Sequence, residues 1–105
     1  MRTAIAALSF EMLATDRCRL AGILDAGTAR WALQRGEVEF LNCTGALQVD
    51  LSGITRADSA GLAVLLAWVG AVRRRGGTVA FQSVPAGLQA IATLCGVDGM
   101  LGLGT

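Results

Sequence analysis

Few side chains in this sequence can do chemistry, and the missing ones decide more than those present. There is no histidine among the 105 residues, and all nine cationic side chains are arginine. Without histidine, Ser-His and Cys-His nucleophile pairs are excluded. Without lysine, the phosphate-binding P-loop and Schiff-base chemistry are excluded too. Cys18, Cys43 and Cys95 are odd in number and show no C-x-x-C spacing. Neither a zinc site nor a disulfide framework is expected, and reduced thiols suit a cytosolic setting. The expectation is a non-enzyme that needs no metal or cofactor.

What remains is the pair Asp58-Ser59, at the mouth of the apolar run "TRADSAGLAVLL", residues 55–66. Both residues are competent helix N-caps, and alanine in the capping place costs about 1 kcal/mol. A capping box is absent, because position 62 is leucine rather than Glu or Gln. If Asp58 caps, Ser59 takes the first helical position with its hydroxyl toward solvent, beside free backbone N–H groups. A phosphate added there gains from those donors and from the helix dipole. Ser59 is thus a partner contact and a candidate phosphorylation site, or only part of a cap.

The helix it opens is expected over about 59–75. Leu62, Leu65, Leu66, Val69 and Val72 fall on an arc of about 120°, a usual core stripe. Ala60, Val64, Ala67 and Ala71 fall opposite, where an exposed helix normally carries charge. Either another helix covers this face, or it docks a partner, with Trp68 as a flanking anchor. The docking reading assigns Asp58, Ser59, Ala60, Gly61, Val64, Ala67 and Trp68 to partner binding. Arg73–Arg75 in the last turn offset the helix dipole, or pair with an acidic partner patch.

The other elements follow from period and turn signals. "LSFEML", 8–13, and "RCRLAGIL", 17–24, predict a hairpin. Asp25 is expected to cap a helix over 26–35 that Gly36 ends. Residues 37–45 read as a short strand or an anchored loop. "ALQVDLSGI", 46–54, predicts a central strand breaking at Ser52-Gly53. Gly76-Gly77 stop the long helix, 78–84 is a further strand, and Pro85 opens a last helix ending near Gly96. The tail around Met100 and Leu101 suggests a weak edge strand. Strand 46–51, helix 59–75 and strand 78–84 make one βαβ unit with parallel strands. The fold class is α/β: a small mixed sheet with helices packed mainly on one face, a single domain over 1–105.

Composition bounds the alternatives. Hydrophobic residues at 53% and charged residues at 16% describe a globular chain rather than a disordered one. A net charge of +1 gives no general reason to bind nucleic acid. The apolar, uncharged run Ser59 to Val72 is 14 residues, short of the roughly 20 that span a bilayer. Ser9, Phe10 and Glu11 interrupt the first apolar stretch before a secretory leader forms. A cytoplasmic protein is expected, meeting a membrane only through a protein partner. A nucleotide-binding module ranks last, since "RRRGG" forms neither a Walker nor a G-x-G-x-x-G pattern.

The run "VDLSGITRADSAGLAVLLAWVGAVRRRGGTVAFQSVPAGLQAIATLCGV" resembles the central signature of the STAS domain family. That pattern is a strand ending in D-L, a short loop, D-[ST]-x-G-L opening a helix, then a glycine, a V-x-[LF] strand and a closing helix. Asp50, Leu51, Asp58, Ser59, Gly61 and Leu62 fill its places, over about residues 46–97, and "GILDAGTA" resembles an earlier G-x-L-D segment. Within the family the chain is most similar to MlaB-type members, cytoplasmic STAS subunits of an ABC transporter that moves phospholipids between the two membranes of Gram-negative bacteria. The resemblance implies docking on the transporter ATPase, with Ser59 at the contact, and no ATP hydrolysis or lipid binding by this subunit. Serine rather than threonine at this place is more typical of anti-sigma-factor antagonists phosphorylated by a kinase. Both partner readings therefore stand.

Overall fold

The computed structural model describes residues 2–4, 7–41, 43 and 45–101. Its strands are β1 (Arg2–Ala4), β2 (Leu8–Ala14), β3 (Arg17–Leu24), β4 (Ala46–Ala57) and β5 (Thr78–Gln82). The helices are α1 (Ala29–Glu39), α2 (Ser59–Arg74) and α3 (Ala86–Leu94), followed by a 3-10 turn over Asp98–Leu101. The strands form one sheet in chain order. β1, β2 and β3 are antiparallel neighbours, whereas β3, β4 and β5 run parallel. The mixed α/β sheet agrees with the expected fold class.

Alternation of side chains makes the sheet one-sided. Leu8 and Phe10, Cys18 and Leu20, and Leu47, Val49 and Leu51 are all buried. Their neighbours Arg17, Arg19, Gln48 and Ser52 are exposed. Successive strand residues point to opposite faces, so the helices cover one face and the other stays polar. On that open face Arg19 lies beside Asp50 in register. The Asp50 carboxyl is held below its ordinary value, mainly by the Ser52 backbone N–H that donates to Oδ1 at 2.8 Å, and further by the Ser52 side chain and Arg19. Between sheet and helices, the rings of Phe10, Phe40 and Trp68 pack with centroids 5.3–5.9 Å apart, Trp68 standing edge-on to both. Such tilted pairs add to simple area burial.

Several expectations hold. The β2–β3 hairpin forms, Gly76 adopts φ +84° after α2, and Gly96 adopts φ +71° after α3. Five others need correction. The first strand-to-helix connection does not start a helix at 26. Asp25 Oδ1 accepts from Gly27 N at 2.9 Å, and buried Thr28 Oγ1 accepts from Asp25 N at 3.0 Å while donating to the Ile23 carbonyl at 2.9 Å. Those bonds hold a turn, and α1 begins after it. Gly36 then lies inside the helix rather than at its end. A Cβ there would stand 2.8 Å from Trp68 Cδ1 and Cε2, so its place is dictated by the indole. β4 does not break at Ser52-Gly53. The register against β3 shifts between Arg19 and Ala21 instead, and Gly53 passes so close that a Cβ would meet the Ala21 Cβ at 2.7 Å. β5 is also shorter than expected, stopping before Ser83 at φ 57°. Finally, Met100 and Leu101 lie in a 3-10 turn, and the fifth strand is the N-terminal Arg2–Ala4.

Gly36→Ala separates two effects of opposite sign. Helix propensity alone favours alanine by about 1 kcal/mol, while overpacking against Trp68 costs about 1–3 kcal/mol. A net loss of stability is expected in urea unfolding, whereas a midpoint above wild type would show that Trp68 does not occupy the Gly36 notch.

Candidate functional site

The site expected from the sequence is the start of α2, and its position is set by the end of β3. Asp58 is extended, at φ −132°, and its Oδ1 accepts from Ala60 N at 2.9 Å and Gly61 N at 3.2 Å. Its own N–H donates to the Leu24 carbonyl at 3.3 Å. A side chain on Gly61 would collide with that same carbonyl oxygen. Glycine is therefore required for the first turn of α2 to approach β3 so closely. With Asp58 serving as cap, Ser59 takes the first helical position, exposed, and among the described residues its hydroxyl makes no hydrogen bond.

β4 brings further groups to the same end. Its register against β3 shifts between Gly22 and Ile23, so Gly22 lies opposite Ile54 while Ile23 lies opposite Arg56. The extra residue leaves both Thr55 and Arg56 exposed, and Thr55 Oγ1 donates to the Gly22 carbonyl at 3.2 Å. Thr55 and Arg56 were not among the residues assigned to partner binding. Strict strand alternation would have hidden one of them, and only the bulge exposes both.

The α2 face corrects two of the expected docking residues. Val64 is 1% exposed and Trp68 2%, so both belong to the core and neither is available to a partner. The reason is position: α2 packs against α1, α3, β4 and β5. Its buried residues Gly61, Leu62, Val64, Leu65, Trp68, Val69 and Val72 consequently span about 160° at 3.6 residues per turn, not about 120°. Gly61 is buried as well, and its role is close approach. Of the expected set, Ser59 and Ala67 are exposed, while Asp58 and Ala60 are half-buried. The exposed line runs through Ser59, Ala63 and Ala67, with Leu66 and Gly70 half-buried alongside. Ala63, four residues after Ser59, was legible from the helical period once the true core arc is known.

At the other end of α2, Arg75 Nη1 donates to the Ala71 carbonyl at 3.4 Å, while Arg73 and Arg74 are exposed. The ion pair formed among the described residues is Arg35–Glu39, so the arginine cluster has no acidic partner there. Arg73 and Arg74 stand in the last turn of α2, where cations offset the helix dipole.

The arrangement offers contact chemistry. Among the described residues no His/Cys/Asp/Glu cluster could hold a metal, and no helix is long and apolar enough to cross a membrane. A concave region lined by Met12, Leu13, Ala14, Thr15, Glu39 and Cys43 lies at the opposite end of the sheet from Ser59. Burial pushes the Cys18 thiol up to about 12, with Cys43, Asp50 and Glu39 adding to it, whereas Cys95 is exposed.

The family model described as the MlaB STAS domain matches residues 11–103. No curated protein sequence matches. Among solved structures, the anti-sigma factor antagonist SpoIIAA in its unphosphorylated form is similar with a TM-score of 0.66 and 13% identity, over 84% of this chain and 83% of that one. The phosphorylated form of SpoIIAA, a Bacillus cell fate determinant, gives 0.68 and 13% over 90% and 87%. The murine anion transporter Slc26a9 gives 0.66 and 14%, over 84% of this chain but 15% of the transporter. At these identities the likeness to solved structures establishes the fold.

Two outcomes test the geometry. Asp58→Ala is expected to cost about 1 kcal/mol in urea unfolding, because Ala60 N and Gly61 N lose their acceptor. In mass-spectrometric alkylation at pH 8, Cys95 should react in the native protein and Cys18 only after unfolding, since the thiolate is the nucleophile.

Proposed function

Because the chain belongs to the MlaB-type STAS domain family, we propose that it is the non-catalytic STAS subunit of an Mla-type phospholipid-transport ABC complex. In this reading it is cytoplasmic, peripheral to the inner membrane, and helps maintain outer-membrane lipid asymmetry by docking on the transporter ATPase and regulating it. The observation that carries the reading is the α2 start. Asp58 satisfies the cap, leaving the Ser59 hydroxyl exposed without an internal partner at the head of the uncharged line Ala63–Ala67. A hydroxyl of this kind both donates and accepts, and small neighbours let a partner come close to it. Thr55 and Arg56 widen the same contact.

A second reading is favoured by one observation. Ser59 lies exposed at the first position of a helix whose dipole favours a phosphate, on a fold shared with SpoIIAA over most of both chains. In that reading the protein is an anti-sigma-factor antagonist, and a partner kinase phosphorylates Ser59.

Co-purification from native membranes distinguishes the two. The transporter reading expects wild-type protein to bring down an ATPase and permease. Ser59→Thr should retain them, while Ser59→Glu should keep its fold but bind at least about tenfold more weakly, about 1.4 kcal/mol. A carboxylate is tolerated at a helix start yet is costly in a desolvated contact. Undiminished recovery with Ser59→Glu would remove Ser59 from the contact. Phosphoserine at 59 together with a co-purifying kinase, and no ATPase, would establish the second reading instead.

A further inference from the structure

The outer edge of β5 carries an unused hydrogen-bonding face whose pattern is complementary to itself. Thr78 pairs with Ala46 in parallel register, and its N–H donates to the Gly45 carbonyl at 3.0 Å. Backbone direction alternates along a strand, so Thr78, Ala80 and Gln82 turn their N–H and C=O groups toward β4. Val79 and Phe81 must turn theirs outward. β5 is the last strand of the sheet. Among the described residues, no hydrogen bond from a turn, loop or side chain reaches the backbone of Val79 or Phe81. The turn Asp98–Leu101 touches β5 but contributes no such bond.

Natural sheets usually guard an exposed edge with charge, proline or a bulge. Gly76 to Val84 contains neither a charged residue nor a proline. We propose that this edge pairs with the β5 edge of a second copy, antiparallel, about a two-fold axis beside Ala80. Val79 then faces Phe81 of the other copy, and each such pair exchanges both of its hydrogen bonds. Ala80 meets its own counterpart at the close, non-hydrogen-bonded position, where Cα atoms approach to about 4.5 Å. Thr78 faces Gln82. A strand from any other protein would need only a free edge. Self-pairing also needs a small uncharged residue at the axis and no like charges opposed, and β5 meets both conditions. Arg73, Arg74 and Arg75 precede the strand, so antiparallel pairing sends the two clusters to opposite ends, on the order of 30 Å apart. The contact does not depend on docking through α2, whose first turn lies at the end of β3 and β4.

Five residues of strand fall well short of a standard interface of about 1,600 Å², so the dimer is weak and depends on concentration. Sedimentation equilibrium of the full chain from about 1 µM to about 1 mM tests it. Wild type should pass from monomer to dimer across that range. Ala80 is exposed, so Ala80→Lys and Ala80→Glu should fold normally by circular dichroism. Each alone should stay monomeric by like-charge repulsion at the axis, and an equimolar mixture should recover the dimer. A wild type monomeric throughout, an equally strong dimer from Ala80→Lys alone, or a mixture no better than either variant would each overturn the proposal.

Discussion

The contact between the first turn of α2 and the Leu24 carbonyl fixes the geometry on which the rest depends. That one oxygen accepts the Asp58 N–H, and it occupies the space a side chain at Gly61 would need. α2 therefore starts directly over the end of β3. From there its axis lies across the covered face, with α1 on one side and α3 on the other. Starting the helix one residue later would rotate every α2 side chain by about 100° and bring Trp68 to the exposed place of Ala67.

The cost of that central position appears in the aromatic cluster. Trp68 is wedged between Phe10 of β2 and Phe40 after α1, and its indole nitrogen is buried without a hydrogen-bond partner among the described residues. An unpaired buried N–H is destabilising, and the dense apolar contacts around it offset the loss. Gly36 completes the fit by letting α1 approach the ring. Core packing and site geometry are thus linked through one helix: its inner side is shaped by Trp68 and its first turn presents Ser59.

The open face of the sheet works differently. Arg19 and Asp50, with Gln48 and Gln82, form a solvated polar surface; Gln82 Nε2 donates to Gln48 Oε1 at 3.3 Å. Exposed pairs of this kind contribute little to stability, but they keep the uncovered face soluble. The α2 surface has no such charges until Arg73. The two faces of one small fold therefore differ in what they can meet, one suited to water and the other to a protein.

By itself, the sequence determined the absence of histidine and lysine chemistry, the hairpin, the long helix with Asp58 as its cap, the parallel strands around it and the family pattern. Each is written in residue type or in short-range period. Only the tertiary structure decided which α2 residues face outward. A helical wheel predicts one core stripe, but a helix flanked on two sides buries a wider arc, and Val64 and Trp68 passed from the expected contact into the core. It also decided that Gly36 is a packing notch rather than a helix stop, because the atom requiring the space belongs to Trp68, 32 positions away in the chain. The exposure of Thr55 and Arg56 likewise comes from a register shift against β3, a relation between two strands that neither strand's own residues reveal.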